Sequence, residues 1–252
     1  MRGADPRLSV LRDRLRGVRR VIAVVSSKGG VGKTLVATSL ALAAARRGLR
    51  VGLLDTDFTN PTAHIALGAD ISRTTPREEK GVVPPTIHGV EFMTIAFYSG
   101  ENPLPLRGEE IDEVFLELLA ITRWGELDLL LIDTPPGVSN ELLDLLSYVP
   151  NVENLVATTP SPLSLNSLRR LLKMMLDAGE KVLGVVANMA TGEPHGVAEV
   201  CRSFGVDLIG ALPLDPEIDL ALGNPDKMLS TVFGRAVDRL LEEILRKPRV
   251  HA

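Results

Sequence analysis

The consecutive residues Ser26-Ser27-Lys28-Gly29-Gly30-Val31-Gly32-Lys33-Thr34 combine a glycine-rich turn with two lysines and a threonine. Glycines let backbone N–H groups approach an anion closely. A helix that starts at such a turn aims the positive end of its dipole at the same point. The stretch follows an apolar run, Val21 to Val25, and leads into a small-residue run, Thr34 to Arg47. Strand, glycine loop and helix in that order make a phosphate cradle. Lys33 is placed to reach the β/γ-phosphates of ATP or ADP, and the Thr34 hydroxyl to bind Mg²⁺. The expected nucleotide contacts are therefore Ser27, Lys28, Gly29, Gly30, Val31, Gly32, Lys33 and Thr34. One position departs from the pattern G-x-x-x-x-G-K-[ST]: Ser27 stands where the first glycine belongs.

Further along, Leu129-Leu130-Leu131-Ile132-Asp133 is an apolar strand that ends in a carboxylate. Beside a phosphate cradle, Asp133 would hold Mg²⁺, in part through water. Thr134-Pro135-Pro136-Gly137 follows at once. Gly137 can present its N–H to a γ-phosphate, and the prolines stiffen the approach. Leu53-Leu54-Asp55-Thr56-Asp57 closes another strand. Its two aspartates are either strand-end caps or working groups. In the working reading Asp57 orients the attacking water and touches the metal, while Asp55 supports the site. Phosphoryl transfer needs mainly positioning and charge neutralisation, so one well-placed carboxylate suffices. Asn188, at the end of Val185-Val186-Ala187, can pair with an adenine edge or form a turn. Pro213, at yet another strand end, joins the nucleotide-binding set. The catalytic set is Lys28, Lys33, Asp57 and Asp133; the metal set is Thr34, Asp57 and Asp133.

These residues need elements to position them. Apolar, β-rich runs recur at 21–26, 50–55, 90–96, 128–133, 154–159, 181–187 and 207–211, most of them continuous, as in strands covered on both faces. Helical patterns fall between most of them, at 34–47, 109–122, 139–147, 162–178 and 194–204, and a final helix at 231–246. The alternation predicts an α/β fold, a doubly wound and mainly parallel sheet with helices on both faces. Ligands in such sheets sit at the carboxyl ends of the strands, where every motif above lies. The segment 68–89 reads as a surface loop or short hairpin, and 99–108 as similar. No domain boundary is visible, so 1–252 reads as one domain with an Arg-rich segment at 1–20 and a frayed tail at 247–252.

The chain has 252 residues and a net charge of −4. As a whole it gives no electrostatic argument for nucleic acid. Arg2, Arg7, Arg12, Arg14, Arg16, Arg19 and Arg20 crowd ahead of the first strand. They form either the solvated face of a helix whose Leu8, Leu11 and Leu15 pack inward, or a basic contact for DNA, membrane or an acidic partner. The one cysteine, Cys201, cannot make an intrachain disulfide or a Cys-x-x-Cys site and reads as a buried helix residue. Without a signal-peptide pattern or a membrane-length apolar run, the chain reads as cytoplasmic.

The loop Lys28-Gly29-Gly30-Val31-Gly32-Lys33-Thr34 resembles the deviant Walker A motif of the MinD/Mrp/ParA superfamily of P-loop NTPases. Trp124-Gly125-Glu126-Leu127-Asp128, Asp133-Thr134-Pro135-Pro136-Gly137, Thr158-Thr159-Pro160, Gly184 to Met189, Leu212 to Pro216 and Arg107-Gly108 extend the resemblance to the Mrp/ApbC branch. It implies an ATPase that binds and transfers iron–sulfur clusters. It also implies a homodimer bridged by nucleotide, in which Lys28 reaches across to the partner's ATP, and a protein partner that reads the switch. The family's Cys-x-x-Cys should follow the Asn-Met step; here stands Ala190-Thr191-Gly192-Glu193-Pro194-His195-Gly196. His195 is the nearby soft ligand, or else a surface or cap residue. Cluster carriage through the usual ligands is therefore doubtful, while the nucleotide machinery is intact. The alternative is a ParA/MinD-like positioning ATPase acting on DNA or membrane.

Overall fold

The computed structural model describes residues 5–100, 109–137, 142 and 146–249. Its strands are β1 (Val21–Ser26), β2 (Val51–Asp55), β3 (Arg77–Glu78), β4 (Val82–Val83), β5 (Thr86–Ile87), β6 (Val90–Thr94), β7 (Leu129–Asp133), β8 (Glu153–Thr158), β9 (Val182–Ala190) and β10 (Leu208–Pro213). Its helices are α1 (Pro6–Arg14), α2 (Lys33–Arg46), α3 (Ala63–Leu67), α4 (Ala96–Ser99), α5 (Glu109–Ile121), α6 (Pro162–Asp177), α7 (His195–Phe204), α8 (Glu217–Ala221), α9 (Pro225–Ser230) and α10 (Val232–Arg246). Eight strands form one sheet in the order β10-β9-β8-β1-β7-β2-β6-β5. Every neighbouring pair is parallel except the edge hairpin β5–β6. The doubly wound, mainly parallel sheet read from the sequence is the fold observed.

Successive strand residues feed opposite layers, which is why the strands read as unbroken apolar runs. Ile22, Val24, Leu129 and Leu131 pack with α2 and α10. Val21, Ala23, Leu130 and Ile132 pack with α1, α5, α6 and α7. Helix α2 lies deepest, with ten buried positions from Lys33 to Ala44. Its run of alanines, Ser39 and Thr38 keeps side chains short, so the helix sits close against both the sheet and α10.

The segment 68–89 contains the small β3–β4 hairpin and β5. The strand read as 90–96 stops at Thr94, because the Thr94 hydroxyl accepts the N–H of Ala96 and turns the chain into α4. Lys247, placed in a frayed tail, is anchored instead: its ammonium meets the Asp207 carboxylate at 2.6 Å and the Leu183 carbonyl at 3.0 Å. Most of the helix expected at 139–147 lies outside the described residues, as do Arg2, Arg107-Gly108 and the tail from 250. Among the described residues no helix is long and apolar enough to cross a membrane.

The N-terminal arginines are largely spent on the protein's own acceptors. Arg7 pairs with Asp5 and Glu113, Arg16 with Asp13 and Arg19 with Asp128. Arg14 donates to the carbonyls of Ala120 and Lys80. Arg20 is buried against Glu153 at 2.5 Å and also binds the Ile244 carbonyl. Leu11 and Leu15 of this segment are buried. The helix of this segment packs on the body through these leucines.

Candidate functional site

Parallel register brings the motifs together. Val24 of β1 stands beside Asp133 of β7, and Asp133 beside Asp55 of β2. Because β7 threads between β1 and β2, the chain leaves all three strands on one side of the sheet. There the glycine loop, the Asp57 segment and the Pro135–Gly137 segment meet. A cleft of about 280 Å³ opens between them, lined by Ser26, Lys28 to Thr34, Asp57, Asn60, Thr62 and Pro136. A larger hollow of about 470 Å³ lies near Arg46 and His88, at the opposite end of α2 and about 20 Å along the helix from the glycine loop.

The loop geometry follows from its glycines. Gly30 and Gly32 have φ of +77° and +78°, a region L side chains avoid. At Gly32 a side chain is also excluded by Asn188, whose amide nitrogen lies 2.3 Å from where a Cβ would stand. Asn188 is buried and donates to the Val31 carbonyl at 2.8 Å. It therefore buttresses the loop from beneath and does not line the cleft. Pro213 does not line it either; it ends β10 opposite Ala190.

Lys33, the first residue of α2, reaches Asp133: Nζ donates to Oδ1 at 2.5 Å, and both side chains are buried. The Asp133 Oδ2 is buried and has no hydrogen-bond partner. Burial pushes this carboxyl above its ordinary pKa, while the Lys33 charge and the neighbouring Thr34 hydroxyl pull it down. An unpartnered carboxylate oxygen beside a threonine hydroxyl is a fitting donor set for a hard divalent cation. Asp133 is also fixed from behind. Its carbonyl accepts both the N–H and the hydroxyl of Thr56, at 2.9 and 2.8 Å. Thr134 next to it donates its hydroxyl to Val24 at 2.9 Å. Sequence reading missed these two threonines, and a hydroxyl residue directly after each strand-ending aspartate was the available signal.

The two aspartates after β2 separate. Asp55 is buried; it accepts the N–H of Asp57 on one oxygen and that of Ala63, with the Thr94 hydroxyl, on the other. Burial, then the nearby Asp133, push its pKa up to about 8. Asp57 faces the cleft, and one of its oxygens takes the Thr59 hydroxyl at 2.9 Å and the Asn60 N–H at 3.1 Å. The N–H of Gly137, read as a γ-phosphate contact, here donates to the Ser26 carbonyl at 3.1 Å. Lys28 is half-buried at the mouth of the cleft.

No thiolate stands near this cleft. Cys201 is 1% exposed, on the core side of α7, and burial pushes its thiol up to about 11. His195 is exposed at the first turn of the same helix. Among the described residues no group of three His, Cys, Asp or Glu side chains could hold a metal. With one cysteine, one copy of the chain cannot supply the four thiolates of the usual cluster site.

Residues 17–247 match the ParA family model described as the NUBPL iron-transfer P-loop NTPase. The chain belongs to this family. An iron–sulfur cluster carrier protein of Pseudomonas fragi is 39% identical over 87% of this chain and 84% of its own length. A nucleotide-binding protein from Archaeoglobus fulgidus, solved in complex with ADP, superimposes with a TM-score of 0.74 at 27% identity, covering 97% of this chain and 99% of that one. The cell division ATPase MinD of Pyrococcus furiosus has a TM-score of 0.67 at 23% identity, over 90% of this chain and 99% of its own; that likeness is one of fold. This chain carries the glycine loop, Asp57 and Asp133, and its one cysteine is buried.

Proposed function

We propose that this chain is a Mg²⁺-dependent ATPase, one P-loop domain working in the cytoplasm as a nucleotide-bridged homodimeric switch. The observation that carries the reading is a cleft lined by the glycine loop and the half-exposed Asp57, whose Lys33 reaches down to a buried Asp133 with an unpartnered Oδ2. The relative solved with ADP supports the nucleotide. Loop N–H groups and Lys33 hold the phosphates. Thr34 and Asp133 would hold Mg²⁺, which supplies charge neutralisation at the β/γ-oxygens. Asp57, with one oxygen held by Thr59 and Asn60, keeps the other for the attacking water. Gly137 must exchange the Ser26 carbonyl for the γ-phosphate, so that the segment from Asp133 to Gly137, together with 55–62, moves between ATP and ADP.

The homodimer reading draws on the carboxyl edge of the sheet, where Leu163, Met189, Leu214 and Leu220 are exposed, Leu220 by 88%. A cluster of exposed apolar side chains marks an interaction face. Closure over the cleft would carry Lys28 to the partner's nucleotide. The family and the carrier relatives support a role in iron–sulfur assembly, with the cluster as cargo held by another protein's thiolates. A DNA-positioning role has less support, because Arg7, Arg14, Arg16, Arg19 and Arg20 each meet an acceptor within the chain.

Two variants test this reading. Lys33→Ala should abolish ATP binding in a Mg²⁺-containing titration; wild-type affinity would remove the cradle. Asp57→Ala should keep ATP bound and accumulate dimer without phosphate release. Undiminished turnover would end its role in positioning water.

A further inference from the structure

The hollow of about 470 Å³ at the far end of α2 falls within the size range of small-molecule sites. Its walls come from three places: the last turn of α2, the His88–Gly89 turn between β5 and β6, and the Gly223–Asp226 segment that leads into α9. These walls are fixed to the body. A Cβ on Gly89 would stand 3.4 Å from that of Ala45, so the turn rests on α2. The Gly223 N–H donates to the Ala66 carbonyl at 3.2 Å, and the Asn224 side chain takes the Lys227 N–H at 3.0 Å. The floor is apolar, made by the buried Leu42 and Leu229.

The rim carries charges that the fold leaves unspent. Arg47 is paired with Asp238 and Glu242, and Arg46 beside it adds only a weaker pull on Asp238. Among the described residues neither Arg46 nor Asp226 forms an ion pair, so a guanidinium and a carboxylate line one hollow without closing on each other. His88, also on the rim, has a φ of +49°, which costs an L residue free energy, and Asn is the usual residue before the glycine of such a turn. The imidazole kept there can offer a hydrogen bond to a bound molecule. We infer that this hollow binds a small zwitterion with an apolar side chain, an α-amino acid or dipeptide. Its carboxylate meets Arg46, its ammonium meets Asp226 and its side chain rests on Leu42 and Leu229. A guanidinium takes a carboxylate by two parallel hydrogen bonds. A simple anion would meet repulsion from Asp226, and a simple cation from Arg46. The site goes beyond the ATPase reading and does not depend on it.

The test is a nuclear magnetic resonance shift titration of the full chain, without nucleotide. The probes are L-leucine and L-leucyl-L-leucine, each also as its N-acetyl form, which lacks the ammonium, and its C-amide form, which lacks the carboxylate. At least one parent zwitterion should bind saturably, with the largest shifts at His88, Gly89 and Asn224. Its two capped forms should each bind at least about tenfold more weakly. If neither parent binds below about 10 mM, the site is overturned. A capped form that matches its parent overturns it as well, and so do shifts centred on the glycine loop.

Two substitutions on the exposed rim assign the charged ends. Arg46→Gln should weaken the parent zwitterion at least about tenfold without weakening its C-amide form, which has no carboxylate to lose. Asp226→Asn should weaken the parent to a similar degree without weakening its N-acetyl form. Arg202→Gln makes the same charge change on the exposed side of α7 and should bind as the wild type does. Wild-type affinity in Arg46→Gln or in Asp226→Asn overturns the assignment. An equal loss in Arg202→Gln also overturns it, because the effect would then be one of net charge.

Discussion

Gly32 sits where two constraints meet. Its φ of +78° lies in the left-handed region, and the Asn188 amide fills the space beside its Cα. A left-handed conformation costs an L residue roughly 1–2 kcal/mol before any clash is counted. Gly32→Ala should therefore lower the melting temperature and weaken ADP binding. Adding Asn188→Gly should restore the space but not the backbone preference, so recovery should be partial. A Gly32→Ala chain that melts and binds like the wild type would show that the loop does not need this geometry. At this scale the sequence was only half legible. The spacing of Lys28, Gly32 and Lys33 declared a phosphate loop, because that chemistry is local. That Asn188 braces the loop, and that Lys33 meets Asp133, depends on strand register between residues about a hundred or more apart, which no local pattern encodes.

The elements were legible where they are long. Continuous apolar runs marked β1, β2, β7 and β8, because a strand covered on both faces has no polar side to show. The short helices α3, α4, α8 and α9 escaped notice, since four to six residues are too few to display a helical period. They are held by point contacts instead. Asp215, just after β10, accepts the N–H of Glu217 in α8 at 3.1 Å and that of Phe233 in α10 at 3.0 Å. These hydrogen bonds, that from Phe233 first, hold its carboxyl below the usual aspartate pKa. The unfolded chain binds this proton more readily than the folded one, so the contribution is fully present above about pH 4 and fades as pH falls through the folded pKa. Asp215→Asn should cost about 1–2 kcal/mol near neutral pH, as for loss of a helix cap. Its acid limb should also be flatter than that of the wild type in urea melts. An unchanged acid limb would mean that Asp215 does not couple strand and helices through its charge.

At the scale of the whole molecule, the family and the chain's own chemistry pull apart. The family is one of iron-transfer P-loop NTPases, yet its cargo needs thiolates, and this chain's one cysteine is 1% exposed in the core. Pairing two copies does not help, since each Cys201 stays on the core side of its own α7. A buried thiol pushed up to about 11 is protonated at neutral pH and is a poor nucleophile and a poor ligand. Anaerobic reconstitution with iron and sulfide should therefore give no cluster absorption, with or without ATP, and Cys201→Ser should behave as the wild type does. Adding a cysteine-bearing acceptor or scaffold should place any cluster on that protein, with this chain's ATP turnover changed by the contact. If the wild type instead takes up a cluster that Cys201→Ser loses, then α7 must turn outward in the dimer.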